Sequence, residues 1–438
     1  MRIAFVSPLP PAATGIADYS AELLRRLAPR HELEAFHAQE AVDEGRLPEA
    51  LPVRRAEELV ARHGRQPFDV VVYQMGNGPA HAFAYELLSR LPGLLVLHDL
   101  VLFHSRAAAF TDAEPVRAWR RAPGSDAARD AARPLLAAWR EELAYSYPAQ
   151  GARLFAAHLG TVGDLLPYAY PLLRIPVEAS RAVLVHSAFA ARAVRDEVPD
   201  AEVVTVPQPV EAAAAEPGAV GALRARLGFA EDELVVGCFG LLTREKRTDA
   251  VARAVARASA RDPRLRLLLA GPVPDRAALE RSLAALGLGE RAVVTGRVPH
   301  EELAAHVAAA DVVAHLRWPT ARETSAALLR VLAQGRPTIV SDLQHQSELP
   351  EAAVRRVDPA REEALEAAIL ELAGDPPARQ RLGAEAAAYV RRAHAPERVL
   401  AGWEEALALT RRRPDPPPRA WPAHWPRPDA VRPSRGGS

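Results

Sequence analysis

Short apolar runs alternate with amphipathic helical patterns along most of the chain, and these two periodicities predict a succession of strands and helices. In the first half, apolar runs typical of buried strands are separated by segments with helical spacing, the first of them from about 16 to 27. Strands are predicted over residues 2–6, 69–74, 94–98, 182–186 and 203–206. This order predicts a parallel sheet covered by helices.

A second alternating unit begins near residue 233. Its strands are predicted over residues 234–239, 265–270, 292–295, 312–316 and 337–340. The two halves predict an α/β protein with two Rossmann-like domains facing across a cleft. Because ligands of such sheets bind beyond the carboxyl ends of the strands, we expect the functional residues in the loops that follow the strands.

Other segments interrupt or connect the two domains. The first domain is expected over 1–207, with a helical insertion at about 113–170, and a proline- and alanine-rich stretch at 208–232 is typical of a linker. The second domain is expected over 233–395, followed by a C-terminal helix over 396–412. The remaining tail, 413–438, is dense in proline, arginine and glycine, and this composition predicts disorder.

Composition narrows the class of protein. The 438 residues are 49% hydrophobic and 25% charged with a net charge of zero, so no overall field favours nucleic acid. The single cysteine, Cys238, excludes an internal disulfide framework. The apolar run at the amino terminus is too short for a signal sequence, and no stretch reaches membrane-spanning length. We therefore expect a cytoplasmic protein.

Lys246 is the only lysine among 55 basic residues. It follows the predicted strand 234–239 and precedes a helical pattern that starts near Thr248. A compact ammonium in such a loop suits a phosphate or a departing diphosphate. The alternative is that one lysine remained in a composition that favours arginine.

Two strand ends in the first half carry further candidates. Gly15 precedes a helix, where backbone N–H groups can approach an anion or a sugar, although turn formation is the more common reason for a glycine there. The loop lacks a G-x-G-x-x-G arrangement, which argues against a dinucleotide cofactor. His98 and Asp99 end the strand 94–98, where the imidazole can bind a sugar hydroxyl or serve only the structure. His98 and His104 lack companions at metal-ligand spacing, so no metal site is predicted.

Several segments, in the same order over both domains, resemble glycosyltransferase family 4, whose members are retaining enzymes of the GT-B fold that use nucleotide sugars. The similarity extends from Met1 to about Leu409. The segments are 15–20, 75–81, 97–99 and 185–187 in the first half, and 239–247, 311–313, 316–320 and 323–330 in the second.

The resemblance implies a hexosyltransferase with a nucleotide-sugar donor on the second domain and a glycan, lipid-linked or small-molecule acceptor on the first. Lys246 matches the lysine that neutralises the donor diphosphate, and His98 matches a histidine near the donor sugar. With Glu323 they are the expected catalytic residues, and no metal or other cofactor is expected. The residues expected to bind the donor are Gly15, Arg244, Arg247, Thr324, Ser325 and Leu328, and those expected on the acceptor side are Asn77 and Asp99.

The sequence also departs from the family pattern. Arg322 and Arg330 occupy the positions of two expected glutamates, and Glu323 is displaced by one position. Leu241 stands where a basic residue is often found. A sugar-binding role for Glu323 is therefore a hypothesis beside simple helix-start electrostatics. A non-catalytic nucleotide-sugar-binding protein and a nucleotide-sugar epimerase or hydrolase remain alternatives.

The predicted insertion is rich in arginine, which is compatible with an anionic acceptor or with peripheral membrane contact through lipid headgroups. Acidic residues interspersed with these arginines favour a solvated helix face instead. The basic residues are Arg117, Arg120, Arg121, Arg129, Arg133 and Arg140.

Overall fold

The structure, a computed structural model, describes residues 1–160, 165–210, 215–417 and 419–425. They form two compact units. The first comprises Met1–Pro207, Ala321–Thr324 and the residues from Val399 onward, and the second comprises Gln208–Thr320 and Ser325–Arg398.

The described part of the first unit contains a seven-stranded parallel sheet. Its strands are β1 (Arg2–Val6), β2 (Glu32–His37), β3 (Val53–Arg55), β4 (Val70–Met75), β5 (Leu94–Leu97), β6 (Ala182–Val185) and β7 (Val203–Thr205). The order is β3-β2-β1-β4-β5-β6-β7. The central strands β1, β4, β5 and β6 are buried along their whole length, which explains their nearly continuous apolar sequences.

Helices cover this sheet and form the insertion. They are α1 (Gly15–Leu27), α2 (Leu59–Arg65), α3 (Ala82–Arg90), α4 (Phe103–Thr111), α5 (Glu114–Arg121), α6 (Asp126–Ser146), α7 (Gly151–Leu159), α8 (Leu166–Ala169), α9 (Arg174–Glu178) and α10 (Ala188–Glu197). Within the predicted insertion, Ser125 caps α6 by accepting the N–H of Ala128 at 3.3 Å. Trp139 of α6 is buried against Phe103 of α4, so the insertion shares an apolar core with α4.

The second unit contains, within its described residues, a six-stranded parallel sheet. Its strands are β8 (Leu234–Phe239), β9 (Leu265–Ala270), β10 (Ala292–Gly296), β11 (Val312–His315), β12 (Thr338–Ser341) and β13 (Arg355–Val357), in the order β10-β9-β8-β11-β12-β13. Its helices are α11 (Pro217–Arg226), α12 (Thr248–Ser259), α13 (Arg276–Ala285), α14 (His300–Ala309), α15 (Ala326–Ala333), α16 (Glu362–Gly374) and α17 (Pro376–Ala393). The predicted C-terminal helix is confirmed as α18 (Pro396–Arg412), which buries Trp403 and Leu407 in the core of the first unit.

Three strands were not predicted, and each lacks a long apolar run. In β2, the carboxylate of Glu34 is buried and accepts hydrogen bonds from Arg2 at 2.6 Å and from Arg62 at 2.7 Å. This charged residue interrupts the hydrophobic pattern although the strand is internal. The strands β3 and β13 are three residues long and lie at sheet edges, where the sequence signal is weak.

Two segments, the expected linker and the C-terminal tail, differ from the expectations based on composition. In the expected linker, α11 and the following loop bury Leu223 and Phe229, and both residues belong to the second unit. Residues 211–214 lie outside the described residues. In the tail expected to be disordered, Trp421 and Trp425 are buried in the core of the first unit. Their indole N–H groups donate to buried carboxylates, and this pairing makes burial favourable in a proline-rich segment. Residues 418 and 426–438 of the tail lie outside the described residues.

None of the helices in the described ranges combines the length and apolarity needed to cross a bilayer.

Candidate functional site

A cluster of polar side chains lies at the carboxyl edge of the first sheet. Gln74 is on β4, His98 and His186 follow β5 and β6, and Tyr19 projects from α1. The Nε2 atom of His98 is 2.7 Å from Gln74 Oε1. The His98 ring is 4.7 Å from that of Tyr19 and 4.9 Å from that of His186, measured between centroids. Four elements therefore fix the orientation of His98.

His98 is a neutral group in this setting. Burial, together with the neighbouring His186 and His81, lowers the pKa of His98 well below its ordinary value. With Gln74 Oε1 as acceptor, the imidazole carries its proton on Nε2. His98 can therefore exchange hydrogen bonds with a hydroxyl, but it does not supply positive charge near neutral pH.

Asn77 and Asp99, both expected on the acceptor side, form one hydrogen-bonded loop structure. The Asp99 carboxylate accepts the N–H of Asn77 at 2.7 Å, and Asn77 Oδ1 accepts the N–H of His104 at 3.1 Å. At Gly76, a Cβ would lie 2.4 Å from Ile16 Cδ1 and 3.0 Å from Asp99 Oδ2, so a side chain there would displace these two groups. These contacts bring both predicted residues beside His98.

Gly15 is the first residue of α1 and is exposed. Thr14 caps this helix by accepting the N–H of Ile16 at 3.2 Å. A Cβ at Gly15 would meet no atom within 4 Å, so the position is open on its outer side. The helix start predicted from the sequence is thus in place at the carboxyl end of β1.

Lys246 lies at the carboxyl end of β8 in the second unit. It ends a short 3-10 turn, Arg244–Lys246, and its Nζ atom donates to the carbonyl oxygen of Phe239 at 2.9 Å. Between them, Gly240 has a φ of +94°, and a Cβ there would lie 2.4 Å from Lys246 Nζ. Glycine therefore lets the chain turn while the ammonium stays on the last carbonyl of the strand.

A second group lies at the end of the neighbouring strand β11 and includes His315 and Arg317, which the sequence analysis did not assign to the site. The buried His315 ring has its Nε2 atom 3.1 Å from Ser325 Oγ, and Ser325 caps α15 by accepting the N–H of Leu328 at 3.3 Å. The guanidinium of Arg317, also buried, donates to Ser325 Oγ at 3.4 Å. Burial, Arg317 and Lys246 lower the pKa of His315 well below its ordinary value.

The loops after β8 and β11 are joined by a backbone hydrogen bond. The N–H of Trp318 donates to the carbonyl oxygen of Glu245 at 2.7 Å. The two strands are also direct neighbours in the sheet. Lys246 and Arg317 therefore belong to one hydrogen-bonded assembly, although 70 positions separate them in the sequence.

Other predicted donor-binding residues have defined local roles. Arg247 has a φ of 56°, and its guanidinium lies 4.0 Å from the Glu362 carboxylate. Arg244 is exposed in the turn that precedes it. Leu328 is buried, and its N–H is already engaged by Ser325. Arg247 and the Leu328 amide therefore both have partners within the second unit.

Glu323 and Thr324 lie before the helix rather than in its first turn. The helix α15 begins at Ala326, because Arg322 adopts a left-handed conformation with a φ of 59° and Ser325 is the cap. Residues 321–324 belong to the first unit, where the Ala321 carbonyl accepts the N–H of Leu100 at 2.9 Å. Glu323 is therefore two positions ahead of the cap, outside the first turn of α15, and its sugar-binding role stays a prediction.

The chain is similar to known glycosyltransferases in part of its sequence. Residues 221–389 match the sequence model of the family described as glycosyl transferases group 1. A 2-deoxystreptamine glucosyltransferase of Streptomyces kanamyceticus is 35% identical over 137 residues, which are 31% of this chain and 34% of that protein. A GDP-mannose-dependent alpha-(1-6)-phosphatidylinositol monomannoside mannosyltransferase of Mycolicibacterium smegmatis is 37% identical over 101 residues, 23% of this chain and 26% of that protein. The chain thus spans about a third or less of the length of these relatives.

Solved structures show the fold over nearly the whole chain. HepE from Anabaena, solved in complex with UDP, has a TM-score of 0.64 at 16% identity, covering 93% of this chain and 100% of its own. Sucrose-phosphate synthase from Thermosynechococcus elongatus has a TM-score of 0.59 at 19% identity, covering 93% and 97%. The fold is GT-B, and the resemblance to GT-B glycosyltransferases seen in the sequence is confirmed, whereas membership of family 4 stays a prediction.

Proposed function

We propose that the protein is a retaining glycosyltransferase of family 4 that moves a sugar from a nucleotide-diphosphate donor to a glycan, lipid-linked or small-molecule acceptor. The observation that carries the proposal is the Lys246 ammonium, held on the Phe239 carbonyl at the carboxyl end of β8 within the segment that matches the group 1 sequence model. The names of the relatives support a sugar nucleotide as donor, since HepE was solved with UDP-glucose and the mannosyltransferase depends on GDP-mannose.

The proposed chemistry follows from the charge of the leaving group. As the bond between the anomeric carbon and the phosphate oxygen breaks, negative charge grows on the diphosphate. A fixed ammonium stabilises that charge more in the transition state than in the ground state. Lys246 suits this role because its Nζ atom is already positioned by the protein. Arg244 and Arg247 flank it in sequence, and they stay proposed donor-binding residues, as do Gly15, Thr324, Ser325 and Leu328.

Retention of configuration requires either a covalent intermediate or attack from the face that the diphosphate leaves. We propose the second route, in which the acceptor oxygen bonds to the anomeric carbon while its proton passes to the departing phosphate oxygen. In this proposal, neutral His98 binds a hydroxyl of the donor sugar, and Asn77 and Asp99 order the loop on the acceptor side. Glu323 is proposed to bind a hydroxyl of the sugar or ribose.

The proposal is tested with radiolabelled UDP-glucose and GDP-mannose against a panel of aminocyclitol, glycan and lipid-linked acceptors. We expect the wild type to transfer sugar with retention and Lys246→Ala to lose turnover while remaining folded. The exposed Arg281→Ala variant is the matched control and should keep full activity. Unchanged turnover in folded Lys246→Ala would contradict the role of the ammonium, and an inverted anomer would contradict the route.

The same assay separates the alternatives. Donor binding without transfer to any acceptor indicates a non-catalytic nucleotide-sugar-binding protein, the reading suggested by Arg322 and Arg330 at the expected glutamate positions. Isomerised or free sugar in the absence of acceptor indicates an epimerase or hydrolase. Transfer that persists in EDTA is expected, because we propose that basic residues rather than a metal neutralise the diphosphate. A cytoplasmic location and an acceptor at a membrane surface stay predictions.

A further inference from the structure

Arg317 occupies an unusual place for an arginine. It lies just after β11, and only 9% of the residue is exposed. Its backbone N–H donates to Ser341 Oγ at 2.9 Å at the end of β12, and its guanidinium donates to the Leu316 carbonyl at 3.1 Å and to Ser325 Oγ at 3.4 Å. Burying a guanidinium is costly, so a position that does so is a candidate for function.

The guanidinium reaches the start of α15 through the capping residue. Ser325 Oγ accepts the N–H of Leu328 and is also within hydrogen-bond distance of the neutral His315 ring. The start of a helix carries partial positive charge. Arg317 therefore adds a full positive charge at a place where the backbone already favours an anion.

The same guanidinium lies on the loop that is bonded to the turn carrying Lys246. Trp318, the next residue, donates its N–H to the Glu245 carbonyl at 2.7 Å. His315 lies close enough to both cations for each to disfavour its protonated form. An ammonium on one loop and a guanidinium on the neighbouring loop are thus presented at one edge of the sheet.

We propose that Arg317 is a second phosphate-binding residue, whose guanidinium contacts the diphosphate that Lys246 neutralises. This assignment rests on the proposed function and adds to it a residue that the sequence analysis left out of the donor site. The two cations have different tasks: a planar guanidinium fixes the orientation of phosphate oxygens through paired N–H groups, whereas an ammonium acts as a point charge. Ser325 accepts a hydrogen bond from the guanidinium at the start of α15, and His315 contacts Ser325 in turn.

A purely structural role for Arg317 makes a different prediction. If Arg317 only orders the loop and the cap of α15, its replacement changes the affinity for every ligand of the site to a similar extent. If it contacts phosphate, the loss grows with the number of phosphates on the ligand. The ratio of nucleoside diphosphate affinity to nucleoside affinity therefore separates the two roles.

The test uses isothermal titration calorimetry on the full chain. UDP, GDP, ADP and dTDP are first compared on the wild type, and the diphosphate bound most tightly is then compared with its monophosphate and its nucleoside. We expect Arg317→Gln to weaken diphosphate binding roughly 10- to 100-fold, as for loss of a hydrogen bond between charged groups, and to leave nucleoside binding unchanged. Arg317→Lys should give an intermediate loss, because it keeps the charge and removes the fork.

Arg281→Gln, which removes an exposed arginine from α13 in the same unit, is the matched control and should bind all three ligands as the wild type does. An unchanged ratio of diphosphate to nucleoside affinity in Arg317→Gln overturns the assignment. Should that variant not fold, an unchanged ratio in Arg317→Lys overturns it equally. If the wild type binds none of the four diphosphates, the proposed function itself fails. If the wild type binds one of them and the ratio is unchanged in the variant, only the assignment of Arg317 fails.

Discussion

Replacing Gly240 by alanine is expected to displace the Lys246 ammonium from the end of β8. The new Cβ would lie 2.4 Å from Nζ, well inside contact distance. Because Nζ is the far end of a flexible side chain, the side chain moves and the backbone stays. The hydrogen bond to the Phe239 carbonyl is then lost.

Two separate costs are expected, and they can be told apart. Alanine at a φ of +94° strains the backbone by about 1–2 kcal/mol. Loss of a hydrogen bond from a charged group adds about 1.5–3 kcal/mol. Gly228 provides the matched control, since it has a φ of +79° and a Cβ there would meet no atom within 4 Å. Gly228→Ala should therefore show only the first cost.

The assay is chemical denaturation of both variants together with calorimetric titration of UDP or GDP, whichever binds the wild type. We expect Gly228→Ala to bind the nucleotide as the wild type does, although its free energy of unfolding is lower. Gly240→Ala should be less stable than Gly228→Ala and should bind the diphosphate more weakly. Equal stability and equal nucleotide affinity in the two variants would refute the reasoning that Gly240 is required for the position of the ammonium.

Two further predictions concern the first unit. Trp425→Ala should lower the free energy of unfolding of this unit by about 3–5 kcal/mol in chemical denaturation, because the side chain is buried and donates to Glu142. An unchanged free energy of unfolding would show that the tail contributes nothing. Burial lowers the pKa of His81 to about 4, so the unfolded chain binds more protons than the folded chain below pH 6.5. The free energy of unfolding should therefore fall by about 2 kcal/mol from this residue alone as the pH is lowered from 6.5 to 5. Denaturation at several pH values should show a smaller slope in His81→Gln, and an unchanged slope would contradict the assignment.

The sequence alone was sufficient for the strands whose residues are buried on both faces. In β1 and β8, continuous apolar runs reflect helices packed on each side of a parallel sheet, and that signal is local. The same reasoning missed β2, because the buried Glu34 is compatible with a strand only through arginines from other parts of the chain. It also predicted disorder for the tail, where Trp421 and Trp425 depend on carboxylates more than 200 positions away.

For the candidate site, the sequence determined that a solitary ammonium lies in the loop after β8 and that a histidine follows β5, since each statement needs only the strand and the loop after it. Tertiary structure decided which residues accompany them. Lys246 meets the loop of Arg317 because β8 and β11 are neighbours in the sheet, although β9 and β10 lie between them in the chain. Strand order arises from long-range packing, and the local periodicity of the sequence does not determine it.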